Sequence, residues 1–190
     1  MNIILFNGAP QSGKDTAANI AAEYIKNTHG YRYWPLPEKF SYPHKRAFDA
    51  TFRGALGGLS YEHNKEETIP AIGVSYRQWQ IDFSEAFMRR LYGKDIFVRL
   101  FLARCGGYNP TMFIPIVSDC GFQTEADELR EHNCLLFRML REGCTFENDS
   151  REYVEPAPGW KFQTVDNNKT INDLRRTITR TVEEWIGETL

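Results

Sequence analysis

Residues 2 to 25 read NIILFNGAPQSGKDTAANIAAEYI, and this stretch limits the folds open to the chain more than any other. Ile3 to Phe6 form an apolar run ending at Asn7 and Gly8, the pattern of a strand buried on both faces. From Lys14 to Lys26 the apolar positions Ala17, Ile20, Ala21, Tyr24 and Ile25 fall on one helical face, with Gly30 beyond it. Between strand and helix, Gly8 and Gly13 bracket four residues ahead of Lys14. That order lets backbone N–H groups curl around an anion, with the positive end of the helix dipole behind them.

The spacing is that of a phosphate loop, which makes Gly8, Gln11, Ser12, Gly13, Lys14, Asp15 and Thr16 candidate nucleotide-binding residues, with Lys14 reaching the terminal phosphates. One position departs from the common pattern. The residue after the lysine, usually a Ser or Thr that holds Mg²⁺, is Asp15, and the hydroxyl comes one later at Thr16. Asp15 has two open readings: a group that orders metal or its water, or one that holds a neighbouring strand and suits the helix dipole. Asp119, at the end of FIPIVSD, is the second acid expected near a metal, giving Asp15, Thr16 and Asp119 as metal candidates. The same residue type also caps strand-to-loop turns.

With 190 residues, 42% hydrophobic and 14% aromatic, the chain is long enough for a sizeable core in one domain. A short strand is expected over 31–36, then a helix from Pro43 carrying Phe48, Phe52, Ala55 and Leu56 and ending at Gly57-Gly58. Leu59 to Val74 is patternless and reads as a connection. Ser75 with Gln78 opens a helix whose Trp79, Phe83, Phe87 and Leu91 share a face, and Gly93 closes it. Asp95 to Cys105 reads as a further helix, TMFIPIVSD as a buried strand, Thr124 with Asp127 as the cap of a short helix, and CLLFRML as another strand. Glu142 to Trp160 is polar and proline-bearing, a loop or lid, and Ile171, Leu174, Ile178, Val182 and Trp185 form a last helix starting near Thr170. Strands alternating with helices predict a three-layer α/β fold, a mostly parallel central sheet flanked by helices. Its ligands would lie at the strands' carboxyl ends, where Gly8 and Asp119 fall.

A net charge of -2 supplies no basic excess for gripping a nucleic-acid polymer. Cys105, Cys120, Cys134 and Cys144 show no metal spacing, and His29, His44, His63 and His132 are scattered, so the cysteines read as reduced thiols of a cytoplasmic protein. No run approaches the roughly 20 apolar residues of a membrane span, and the N-terminus shows no signal-peptide pattern. Phe122 stands where a GTPase switch needs glycine, and NNKTIN contains no guanine-reading motif. Phosphoryl transfer requires positive charge on donor and acceptor sides. Arg77, Arg89 and Arg90 on the Trp79 helix, and Arg138, Arg141 and Arg151 around the lid, are the candidates.

GAPQSGKDT resembles the Gly-x-x-x-Ser-Gly-Lys-Asp-Thr loop of the bacteriophage deoxynucleoside monophosphate kinases, within the P-loop nucleoside monophosphate kinase group. In that group a non-hydroxyl residue and then Thr follow the lysine. FSYPHKRAFDATF is similar to its acceptor-site segment and implies Phe40 and Lys45 as substrate-binding residues. YRQWQIDFSEAFMRRLYGKDIFVR is similar to its Arg-x-x-x-Gln helix and implies Arg77, Gln80, Glu85 and Arg89 in the same role. VSDCGFQTEADEL resembles Asp-x-Arg-Phe-x-x-Glu, with Asp119, Phe122 and Glu125 matching and Gly121 in place of the arginine. FENDSREY with Arg151 resembles the lid, and Lys14, Arg138, Arg141 and Arg151 become the catalytic candidates. The resemblance implies one kinase domain over 1–190, with an acceptor-binding insertion at about 38–105 and a lid at about 138–160. It implies Mg²⁺-dependent transfer from ATP to a deoxynucleoside 5′-monophosphate, in the host cytoplasm if the chain is phage-encoded. The partners are then small nucleotides, with no nucleic acid polymer or membrane, and a homodimer is left open. A kinase of another small phosphorylated acceptor, such as phosphomevalonate or dephospho-coenzyme A, and a non-catalytic ATP-binding regulator are the alternatives.

Overall fold

The computed structural model describes residues 1–57, 64–147 and 149–189. In chain order they begin with β1 (Asn2–Gly8), α1 (Lys14–His29), β2 (Trp34–Glu38) and α2 (Tyr42–Phe52). Next come β3 (Thr68–Ile69), β4 (Val74–Ser75), α3 (Tyr76–Asp82), a π-helical stretch (Phe83–Arg89), α4 (Arg90–Tyr92) and α5 (Ile96–Cys105). The remainder is β5 (Phe113–Cys120), α6 (Gln123–Glu128), β6 (Asn133–Leu140), β7 (Lys161–Asp166) and α7 (Ile171–Thr189). They divide into two compact units, Met1–Phe40 with Phe101–Leu190, and Ser41–Leu100.

The first unit is built on a parallel sheet in the order β2-β5-β1-β6-β7, flanked by helices. β1 is its centre, pairing with β5 on one side and β6 on the other. Ile4 and Phe6 join α1 residues Ile20 and Ile25 and α7 residues Ile178 and Trp185 in one buried cluster, and Phe6 stacks on Phe137 at 4.9 Å. Ile3 and Leu5, which alternation turns to the other face, are equally buried. Burial on both faces is why the strand reads as an unbroken apolar run. The α7 start is as expected: Thr170 Oγ1 accepts from Asp173 N at 3.2 Å, while Asp173 Oδ2 accepts from Thr170 N at 3.3 Å.

The second unit packs Phe48, Ile69 and Tyr76 together, with Phe52, Leu56 and Trp79 against them. β3 and β4 form an antiparallel pair. Ser75 Oγ accepts from Gln78 N at 3.1 Å, so α3 begins where the sequence indicates. The helix then widens into the π-helical stretch, along which Trp79, Phe83 and Phe87 stack at 4.9 and 5.4 Å.

Several expectations are corrected. β7 carries no sequence signal of a strand: only Val165 is buried along it, and edge strands have a weak apolar pattern. α2 stops at Phe52, so Ala55 and Leu56 lie beyond it. Thr124 does not cap α6; Phe122 occupies the cap position, and the buried Glu125 carboxylate accepts from Gly121 N at 3.1 Å and Phe122 N at 3.2 Å. Residues 138–140 are strand, part of β6, at the place where a lid was expected to begin. Gly58, Leu59 to His63 and Asn148 lie outside the described residues. The cysteines are free thiols, three of them buried, and no described helix is long and apolar enough to cross a membrane.

Trp185 is fully buried between α7 and the sheet. Trp185→Ala is expected to lower unfolding free energy by about 3 to 5 kcal/mol, read from urea denaturation followed by far-ultraviolet circular dichroism.

Candidate functional site

β1 ends at Gly8 and α1 begins at Lys14, so the loop leaves the carboxyl edge of the sheet directly into a helix N-terminus. Gly13 has φ +95°, and any side chain there would run into the Asn167 amide. Asn167 closes that side of the loop: its Nδ2 donates to Ser12 O at 2.9 Å and its backbone N to Leu140 O at 2.8 Å. Gln11 takes a positive φ of 62°, and its carbonyl accepts from Arg141 Nη1 at 3.3 Å. Ser12 Oγ is buried and has no partner among the described residues.

Lys14, only 9% exposed, folds back so that Nζ donates to Ala9 O at 2.6 Å. Burial, and then the nearby Arg151 cation, bring its pKa down from the ordinary 10.5 to about 8 against the pull of Asp15, Asp149 and Asp119. Asp15 Oδ1 accepts from Lys39 Nζ and from Ser118 Oγ, both at 2.7 Å. Burial works to raise the Asp15 pKa, but those two hydrogen bonds and the charges of Lys39 and Lys14 outweigh it and the net shift is downward. Asp15 thus ties the start of α1 to β5 and to the turn after β2. Arg104 steadies that turn by donating to Glu38 Oε2 at 2.9 Å and Lys39 O at 3.0 Å.

Asp119 Oδ1 accepts from Phe40 N at 2.8 Å. Phe40 itself is only 3% exposed and meets Phe101 edge-on at 5.3 Å, the position of a core residue rather than an open ligand contact. No cluster of three or more His, Cys, Asp or Glu suited to a metal occurs among the described residues. The hard oxygen donors the loop end offers are the exposed Thr16 hydroxyl on the first turn of α1 and the Asp119 carboxylate on β5.

The three arginines expected around the lid have separate roles. Arg138 donates to Val154 O and Glu155 Oε1, each at 2.8 Å, and lies over the rings of Phe162 and Tyr153, so it anchors the 151–155 segment. Arg141 touches the crown of the loop. Arg151 faces Lys14 electrostatically and is held by Asp149, which accepts from Nε at 2.8 Å and Nη2 at 2.5 Å; this pairing raises the Arg151 pKa.

In the second unit Arg89 Nε lies 3.3 Å from Glu85 Oε1, Nη1 donates to Lys94 O at 2.6 Å, and the guanidinium covers the Phe97 ring. Arg77 pairs with Glu66 at 3.5 Å, Gln80 is half-buried, and Lys45 lies in α2. Sequence reasoning missed Lys39, Ser118, Asn7, Asn167 and Asp149. Lys39, Ser118 and Asn7 adjoin residues already singled out, Phe40, Asp119 and Gly8, and Asp149 lies two residues from Arg151; Asn167 reaches the loop only through tertiary pairing.

No protein-family model and no curated protein sequence matches the chain. Among solved structures it is similar to a sugar kinase from Janibacter sp. HTCC2649, with a TM-score of 0.50 and 11% identity over 100% of this chain and 96% of that one. It is also similar to Kti12 from Chaetomium thermophilum in complex with ADP-AlF3 (TM-score 0.44, 12% identity, 97% and 98% covered). A third is thymidylate kinase from Ehrlichia chaffeensis (TM-score 0.39, 13% identity, 97% of each chain). The likeness to the first of these, at 11% identity, is one of fold: a three-layer α/β fold with a parallel central sheet flanked by helices.

The folded protein releases the Lys14 proton near pH 8, whereas the unfolded chain keeps it until about pH 10.5. Lys14 therefore makes stability rise as pH increases through that window. Lys14→Met is expected to remove this rise, measured by comparing urea midpoints of the two proteins at pH 7.5 and 9.5.

Proposed function

We propose that this protein is a nucleotide kinase that transfers the γ-phosphoryl group of ATP to a deoxynucleoside 5′-monophosphate. The observation that carries this reading is the buried Lys14 amine folded beneath a glycine-bracketed loop at a helix N-terminus, with Arg151 close enough to perturb it. Two cations in a half-desolvated turn suit a polyphosphate, since catalysis of phosphoryl transfer is largely positioning and charge stabilisation.

Lys14 exchanges the Ala9 carbonyl for a phosphate oxygen, and the incoming negative charge keeps its amine protonated. The buried Ser12 hydroxyl, unpartnered among the described residues at a cost of about 1 to 3 kcal/mol, gains an acceptor. Thr16, Asp119 and Asp15 are the residues that would hold Mg²⁺, which neutralises phosphate charge when bound; on Asp15 the oxygen concerned would be the one not taken by Lys39 and Ser118. Lys45, Arg77, Gln80, Glu85 and Arg89 are assigned to the acceptor, with Phe40 shaping the turn beside Asp119. An acceptor phosphate oxygen attacks the γ-phosphorus, the bond to the bridging oxygen breaks, and ADP leaves. No protein nucleophile is needed.

Lys14→Ala is expected to lose transfer almost completely while its circular dichroism stays that of the parent, and near-normal turnover would refute the mechanism. ADP release measured across the four common deoxynucleoside monophosphates and a set of non-nucleotide phosphorylated acceptors tests the substrate. Turnover with the latter alone points to another small-molecule kinase, and turnover with neither to an ATP-binding regulator.

A further inference from the structure

The 149–155 segment crosses the end of the sheet as a strap tied down directly after Arg151, at Glu152 and Val154. Asn7 is fully buried in β1 and uses its whole amide: Nδ2 donates to Cys120 O at 3.0 Å and to Glu152 O at 2.9 Å, and Oδ1 accepts from Val154 N at 3.2 Å. Glu152 N donates to Gly121 O at 2.9 Å, and Gly121 N is held by Glu125. The backbone just after residue 151 is thereby fixed to β1 and to the residue that follows β5.

The Arg151 side chain then runs across the bare backbone of Gly121. A β-carbon at 121 would fall 2.6, 2.7 and 3.0 Å from Cδ, Cγ and Cβ of Arg151, far inside contact distance. The φ of Gly121 is not positive, so its value lies in close approach and not in backbone freedom. Asp149, whose side chain is 5% exposed, takes Nε and Nη2 and leaves Nη1 to donate elsewhere.

We propose that Asn7 and Gly121 are positioning residues that hold Arg151 as a permanently seated second cation beside Lys14 for the nucleotide polyphosphate. This rests on the reading of the loop as an ATP site. Arg151 is then part of the resting site and is not carried in by closure of a lid. Gly121 provides the space for it, and Asn7 ties the backbone that follows it at Glu152 and Val154.

The test is isothermal titration of inorganic tripolyphosphate and of ATP into the full chain and into Gly121→Ala, Arg151→Ala and the double variant. Each single change is expected to weaken tripolyphosphate binding about tenfold, the scale of one charge-assisted hydrogen bond. The double variant is expected to bind as Arg151→Ala does, because Gly121 acts only through that arginine. Asn7→Ser, checked for folding by circular dichroism, should weaken binding similarly; should it fail to fold, Gly121→Ala still decides. Parental affinity in Gly121→Ala, or a loss in the double variant equal to both single losses combined, would overturn the proposal. An unaltered chain that binds neither probe would instead refute the ATP site, and this inference with it.

Discussion

A positive charge kept inside its own loop governs the arrangement around it. The Lys14 amine has given up most of its water and retains the Ala9 carbonyl, a poor substitute for hydration of a cation. Asp15, Asp119 and Asp149 offset part of that cost from a distance, while Arg151 adds to it. All three acids are bound elsewhere, Asp15 to Lys39 and Ser118, Asp119 to Phe40 N and Asp149 to Arg151, so none collapses onto the lysine. The turn therefore retains an imbalance that a multiply charged anion would relieve. A sheet edge, a helix start and a crossing strap are all organised about that imbalance.

What could be read from the sequence follows the range over which each feature is determined. β1, α1, β5 and α7 show themselves because their burial is periodic and strong, and the loop between β1 and α1 because its glycines and lysine are contiguous. β7 is hidden since an edge strand with one buried position leaves no alternation to detect. The start of α6 precedes the Thr124 cap that its sequence suggests because a buried glutamate, Glu125, satisfies the amides just before the helix, a contact that depends on packing. The role of Asn7 was invisible for a related reason: its partners are Cys120, Glu152 and Val154, more than a hundred residues away.

The same distinction separates the arginines. Composition marks Arg138, Arg141 and Arg151 alike, yet one is enclosed by Val154, Glu155 and two aromatic rings, one touches a loop carbonyl, and one lies along a glycine. A guanidinium has five donors and a long stem, so its role depends on which neighbours take those donors. Here the neighbours come from the loop after β1, the turn after β5, β7 and the strap together.

The sheet's outer strand β2 has the sequence WPLPE. Trp34 N donates inward to Met112 O at 2.7 Å, so by alternation the groups at 34, 36 and 38 face β5, and those at 35 and 37 face away. Both outward positions are proline, which has no N–H to offer. A foreign strand arriving at that border would meet acceptors without donors, and no ladder could form. The width of the sheet on that side is thus set by the chain's own covalent chemistry, and recruitment of a sixth strand from another molecule is barred there.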